Sequence, residues 1–252
     1  VSSRPFDEPA PSGEPRADAL RRLIAIVDRL RDPADGCPWD LAQTLESIAP
    51  HHLEEAHELV EAIEEKDDRH TLEETGDLLM GIVLLARVAE QAGRFGLADV
   101  VQGVCEKLIR RHPHVFGETA VDSPRAALAN WERIKQDERR DQQADSSALA
   151  GVPIALPALQ RAKRMGDKAI AHGFRWADVA GAFAKLGEEL GELSDELEQS
   201  GVLGAREGRL DQPGARGAAE VERELGDVLL AGALLGSYLG IDPERATRAA
   251  GR

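Results

Sequence analysis

Cysteine is nearly absent: Cys37 and Cys105 are the only two in 252 residues, and they are not in metal-finger spacing. So few exclude a disulfide framework and fit a reducing compartment, so a cytoplasmic location is expected. Aromatic residues are scarce at 4%, while Ala, Leu, Glu and Arg dominate. Those side chains lose little rotamer freedom in a helix, and the expected fold class is all-α. Long apolar runs are missing as well. The longest, LLMGIVLLARVA from Leu78, is well short of a bilayer span, so no membrane partner is expected. The opening VSSRPFDEPAPSGEPRAD lacks the apolar core of a signal peptide and reads as a disordered Pro-rich tail, residues 1–18. Positive charge is outweighed, with a formal net charge of -15. That field repels a phosphate polymer and argues against nucleic acid as a partner. A small anionic substrate stays compatible where a metal ion and a local basic cluster receive it.

What is present is helical periodicity. Leu20, Leu23, Ile24, Val27 and Leu30 fall on one face of a helix from Ala19, which Pro33, Gly36 and Pro38 then break. Further helices are expected over about 48–65, 71–91 and 97–111, with another after Pro124. The stretch 141–156 is small, polar and Pro-containing and reads as a linker between a first module, 19–140, and a second, 157–252. The second holds helices over about 157–172, 176–198 and 218–239, with a short piece from Pro243 and a Gly-rich loop at 201–217.

The chain repeats itself. LEEAHEL at Leu53 is echoed by GEELGEL at Gly187, and EETGDLLMGIVLLA at Glu73 by RELGDVLLAGALLG at Arg223. Residues three and four apart share a helix face, so Glu55 and Glu58 point one way with Glu54 beside them, and Glu74 and Asp77 share a face of the next helix. Fifteen residues separate Glu58 from Glu74, enough to end one helix, turn and begin an antiparallel neighbour. Facing carboxylates repel unless a cation sits between them. Oxygen-only ligands suit Mg²⁺ or Mn²⁺. A solvated acidic face is the plainer reading of any lone ExxE; the recurrence at Glu188, Glu189, Glu192, Glu224 and Asp227 weighs against it here. Glu54 and His57 form an ExxH step of the di-iron kind, but such a site needs a second, and the position matching His57 is Gly191. His57 is read as a packed or surface histidine.

With EExxE and ExxD in place, the chain resembles the MazG family of nucleoside triphosphate pyrophosphohydrolases in its long two-module form. The resemblance covers about 19–242 and rests also on LRDPADGCPWD, KLIRRHPHVF, WERIK and LPALQRAKRMGDKAIAHGFRW. It implies Mg²⁺-dependent hydrolysis of nucleoside triphosphates to a monophosphate and pyrophosphate. The implied metal ligands are Glu55, Glu58, Glu74 and Asp77 in the first module and Glu189, Glu192, Glu224 and Asp227 in the second. Glu54 and Glu188 are the candidates to orient or deprotonate water, and Lys107, Arg110 and Arg111 the implied phosphate clamp. The bland alternative for these three is a basic group favoured by the end of its helix. Trp131 is a candidate nucleobase contact and Lys135 a phosphate contact; plain packing is the competing role for Trp131.

The sequence also departs from the family. It ends at LGIDPERATRAAGR, where long members continue into the second module's own basic helix, so that module is expected to lack its clamp. Its acidic pairs are split by 31 residues rich in glycine, which raises the entropic cost of assembly. Lys185 matches a family lysine near the substrate, with His51 in its place in the first module. A further family lysine is replaced by His70 and Glu220. Family precedent favours the second module as catalytic; the acids and basic cluster together favour the first, and that is the expectation adopted. The expected assembly is a homodimer whose copies complete four-helix bundles. The rival function is a catalytically silent helical module that binds nucleotide or a protein.

Overall fold

A computed structural model describes residues 10–141, 147, 149–174, 176–203, 210 and 217–251. Among these residues every regular element is a helix: α1 (Pro15–Leu30), α2 (Pro38–Leu41), α3 (Leu45–Glu65), α4 (Asp68–Gln91), α5 (Leu97–Arg111), α6 (Pro113–Phe116), α7 (Pro124–Asp141), α8 (Ala158–Ala171), α9 (Val179–Gln199), α10 (Ala218–Leu239) and α11 (Pro243–Ala250). The all-α expectation holds. No single helix among them is long and apolar enough to cross a membrane; α10 and α11 reach that composition only as a pair bent by 110°.

The chain divides into two compact units, Val1–Trp131 and Glu132–Arg252. The division falls inside α7, because Trp131 is tied back to the first unit by the Arg111 guanidinium, 5.5 Å from its ring centre. In the first unit, α3 and α4 pack along their length and α1 lies against α4. Local chemistry fixes both ends of the α3–α4 turn. Lys66 takes a left-handed backbone conformation, φ 60°, to end α3, and Asp67 accepts a hydrogen bond from the His70 N–H at 3.0 Å to start α4. At the head of α3, Thr44 and Ser47 form a reciprocal capping box. With so short a turn, two helices in contact must run antiparallel. The core consists of Val27, Ile48, Val83, Leu84 and Val88, with Leu23, Ile24, Leu45, Met80, Leu85 and Leu97 packed around it.

In the second unit α10 packs on both α8 and α9. Gly166 permits the close approach of α8, since a Cβ there would lie 2.6 Å from the Leu234 Cδ2. Tyr238 on α10 donates its hydroxyl to the Trp176 carbonyl at 3.1 Å, and the two rings meet edge to face.

Two sequence expectations change. The helix expected from Ala19 begins at Pro15, inside the stretch assigned to a tail, because proline suits the first helical position and the Glu14 carboxylate accepts the Ala17 N–H at 2.7 Å. Of the rest of that tail, residues 1–9 lie outside the described residues, as do 142–146 and 148 of the linker and 204–209 and 211–216 of the loop. Finally, CPWD, read as part of a break, forms a single helical turn started by a proline, and PHVF after α5 forms another.

Leu84 is 4% exposed and Val115 65%. In urea unfolding of the first unit, Leu84→Ala is expected to cost about 3 kcal/mol through lost burial and a residual cavity. Val115→Ala should stay within about 0.5 kcal/mol of the parent.

Candidate active site

Packing α3 on α4 brings the acids of both helices together. Carboxylate oxygens of Glu55, Glu58 and Glu74 lie within 4.8 Å of one another, and Glu189, Glu192 and Glu224 repeat the arrangement between α9 and α10. Glu74 and Glu224 are only 8% and 3% exposed. A carboxylate this buried costs free energy unless positive charge or hydrogen-bond donors compensate it. Asp77 and Asp227, the fourth expected ligands, stand outside these triads, although Asp77 is close enough to act on Glu55.

The electrostatics of the first triad record the strain. Burial, and then the negative charges of Asp77, Glu58, Glu74 and Glu54, push the Glu55 carboxyl above its ordinary range. His70 Nε2 lies 2.9 Å from Glu74 Oε1, one turn away. His51 Nδ1 is 3.8 Å from Glu54 Oε2. Glu54 is therefore an exposed carboxylate at the rim, next to the triad in sequence.

In the second triad the neighbours are stronger cations. Lys185 Nζ bridges Glu188 Oε1 at 2.7 Å and Glu189 Oε1 at 2.8 Å. Those hydrogen bonds, to Glu188 first, raise the lysine pKa. Arg223 pairs with Glu224 and approaches Asp227 at 3.8 Å. Glu224 keeps one buried oxygen, Oε2, with no hydrogen-bond partner. Glu192 is still pushed upward, by desolvation and then by Glu189 and Glu224.

Beside the first triad the structure opens a cavity of about 220 Å³ that the sequence did not disclose. Its lining includes Trp39, His51, His52, Glu55 and Asp77. The Trp39 and His51 rings are tilted at 58° with centres 6.0 Å apart. His52 Nδ1 lies 3.2 Å from the Ile48 carbonyl, which can only accept, so the ring proton sits on Nδ1 and Nε2 is an acceptor in the neutral ring. That Nε2 is buried without a partner. The motif CPWD, and His51 in the place of a family lysine near the substrate, were the sequence signals for this wall.

The remaining expected residues form another group. Lys107 and Arg110 occupy exposed positions on α5, and Arg111 stacks over Trp131, so the indole face expected to meet a base already meets a guanidinium. Next to it, His112, His114, Pro124 and Leu128 join Trp131 around an open pocket of about 490 Å³. Lys135 lies further along α7, in the second unit.

The chain has relatives among known proteins. Residues 43–116 match the MazG nucleotide pyrophosphohydrolase domain, a span that contains the first triad. The chain is similar to the nucleoside triphosphate pyrophosphohydrolase of Escherichia coli, 40% identical over 231 residues, covering 92% of this chain and 82% of that protein. It is likewise 40% identical over 233 residues to the nucleoside triphosphate pyrophosphohydrolase/pyrophosphatase MazG of Thermotoga maritima, covering 92% and 81%. A nucleoside triphosphate pyrophosphohydrolase of Mycobacterium tuberculosis is 32% identical over 156 residues, 60% of this chain and 47% of that one.

Because Glu55 titrates above its unfolded value, its ionised form destabilises the metal-free fold at neutral pH, and that penalty fades as pH falls through the folded pKa. In chelator, Glu55→Gln should therefore melt above the parent at pH 7–8, and the gap should close on acidification. Melting curves across pH check this; a gap that widens on acidification contradicts it.

Proposed function

Since the chain belongs to the MazG nucleotide pyrophosphohydrolase family, we propose that it hydrolyses nucleoside triphosphates to monophosphate and pyrophosphate in the cleft of its first module. One observation carries the assignment to that cleft: Glu55 belongs both to the acid triad and to the wall of the aromatic cavity. A substrate with a triphosphate at one end and a flat heteroaromatic ring at the other matches the pair. The ring lies against Trp39, and His52 Nε2 offers it an acceptor. Ribo- and deoxyribonucleotides are both within this reading, and removal of unwanted nucleotides from the cytoplasmic pool is the role it supports.

The donors fit a hard divalent cation. All are carboxylate oxygens, they gather within 4.8 Å of one another, Glu74 is buried, and the raised Glu55 carboxyl supports a demand for positive charge there. Glu55, Glu58 and Glu74 would hold Mg²⁺, or Mn²⁺, with Asp77 on the cavity side. When bound, the ion supplies neutralisation of phosphate charge and acidification of water. Glu54, exposed at the rim, is assigned the water's proton. Lys107, Arg110 and Arg111 are assigned the phosphate oxygens.

Glu188, Glu189, Glu192, Glu224 and Asp227 repeat the acids, but Lys185 and Arg223 already give them positive charge from within the chain. Turnover is therefore placed in the first module. The second fits a binding or regulatory role, with Lys185 available to a phosphate once released from Glu188 and Glu189.

A homodimer is part of the proposal. No residue of α5 is buried, and Val101, Val104 and Leu108 recur along one of its faces at 47%, 39% and 47% exposure. Leu53, Val60 and Ile63 on α3 and Leu79 and Ile82 on α4 are similarly uncovered. A second copy laid on these faces completes a four-helix bundle.

Pyrophosphate release from a panel of nucleoside triphosphates is expected to need Mg²⁺ and to fall by at least about two orders of magnitude in Glu58→Gln. Glu192→Gln should retain it, and the reverse pattern would move catalysis to the second module. In light scattering, Val104→Asp is expected to shift a dimer toward monomer; an unchanged mass would contradict the proposed face.

A further inference from the structure

The segment that carries Trp39 is held by one buried arginine. Arg31 is 7% exposed, and its guanidinium bonds in two directions. Nε and Nη2 donate to Gln91 Oε1 on α4 at 2.8 and 2.6 Å. Nη1 donates to the Asp40 carbonyl and, at 3.3 Å, to the Gln43 carbonyl. Gln91 Nε2 returns a hydrogen bond to the Arg31 carbonyl at 3.1 Å. Gln43 in turn donates its side-chain amide to the Trp39 carbonyl at 3.0 Å. The loop before Trp39 closes on the same arginine's neighbours: Cys37 N–H reaches the Leu30 carbonyl at 2.8 Å, and a Cβ on Gly36 would lie 2.4 Å from that carbonyl.

Trp39 sits on α2, a helix of four residues. A single turn has no stability of its own, because nucleation costs more than one turn of hydrogen bonds returns. Yet its indole is 57% exposed over the cavity, so burial of the ring does not fix it. What does fix the turn is the guanidinium grip on the Asp40 carbonyl within it and the Gln43 carbonyl just after it, referred to the end of α4 through Gln91. Only a planar fork serves an amide on one side and two carbonyls on the other; a lysine ammonium lacks that geometry.

We propose that Arg31, with Gln91, is a positioning residue for the nucleotide: it holds Trp39 as a fixed wall for the base without touching substrate itself. This rests on the reading of the Trp39 cavity as the base end of the site. The clamp then sets affinity for the base and leaves the phosphate chemistry at the triad unaltered, because a wall that wanders must be ordered again at each binding event.

The test measures pyrophosphate release from a nucleoside triphosphate with Mg²⁺, and inhibition by Mg²⁺-pyrophosphate, which has no base. The proteins are the full chain, Arg31→Lys, Gln91→Ala, Trp39→Ala and Arg31→Lys/Trp39→Ala. Arg31→Lys and Gln91→Ala are expected to raise KM about tenfold, with kcat within about twofold and pyrophosphate inhibition unchanged. Arg31→Lys should add nothing to the loss in Trp39→Ala, as expected for residues acting through one contact. Should Arg31→Lys fail to fold, Gln91→Ala decides, since it leaves the arginine and its carbonyl bonds in place. A fall in kcat at constant KM, a matching loss of pyrophosphate inhibition, or multiplying losses in the double variant would overturn the clamp. An intact chain that releases no pyrophosphate from any nucleotide would overturn the activity reading and the clamp together.

Discussion

Like charges held face to face between two helices are the constraint on which the rest of this molecule depends. Glu55, Glu58 and Glu74 approach within 4.8 Å because the packing of α3 on α4 leaves them no alternative. The caps at Thr44 and Asp67 and the left-handed Lys66 set the register of the pair, and the core around Val83 and Leu84 holds it. Hydrophobic burial thus works against electrostatic repulsion, and the difference is stored as a demand for positive charge at one place. A cation that brings phosphate oxygens with it meets that demand.

The two acid clusters meet the same demand in two ways. In the second, Lys185 and Arg223 supply the charge from within, so the acids are partly neutralised before any ligand arrives. In the first, a histidine stands against Glu74 where the second has an arginine on Glu224, and the Glu55 carboxyl remains under pressure from its neighbours. An aromatic cavity adjoins the first triad, through Glu55 and Asp77. In the second unit the cavity between α8 and α10 is lined by apolar and aromatic side chains such as Leu230, Leu234 and Trp176, and by none of the acids. The acids recur, and their surroundings differ.

Much of this was legible in the chain because helices write their faces at a fixed period. Leu23, Ile24 and Val27 announced the buried face of α1, and the spacing of Glu55, Glu58 and Glu74 announced a shared cluster. Other features were hidden for physical reasons. Asp77 and Asp227 share a helix face with the triads yet stand outside them, because helical spacing fixes direction and not the reach of a side chain. The turn bearing Trp39 was masked by two prolines and a glycine that read as a break. Arg31 carried no sequence signal of its own, since its partners Gln91 and Asp40 lie 60 and 9 residues away and only the fold brings them in. The pairing of Arg111 with Trp131 was invisible for the same reason, although both residues had been singled out separately.

The most direct test of the central claim, that the first acid cluster with its aromatic wall is the nucleotide site, is a crystal structure with Mn²⁺ and a nucleoside triphosphate analogue blocked between the α and β phosphates. Anomalous density among Glu55, Glu58 and Glu74, with the base against Trp39, is the predicted result. Anomalous density confined to Glu189, Glu192 and Glu224, or a base bound away from Trp39, would contradict the account.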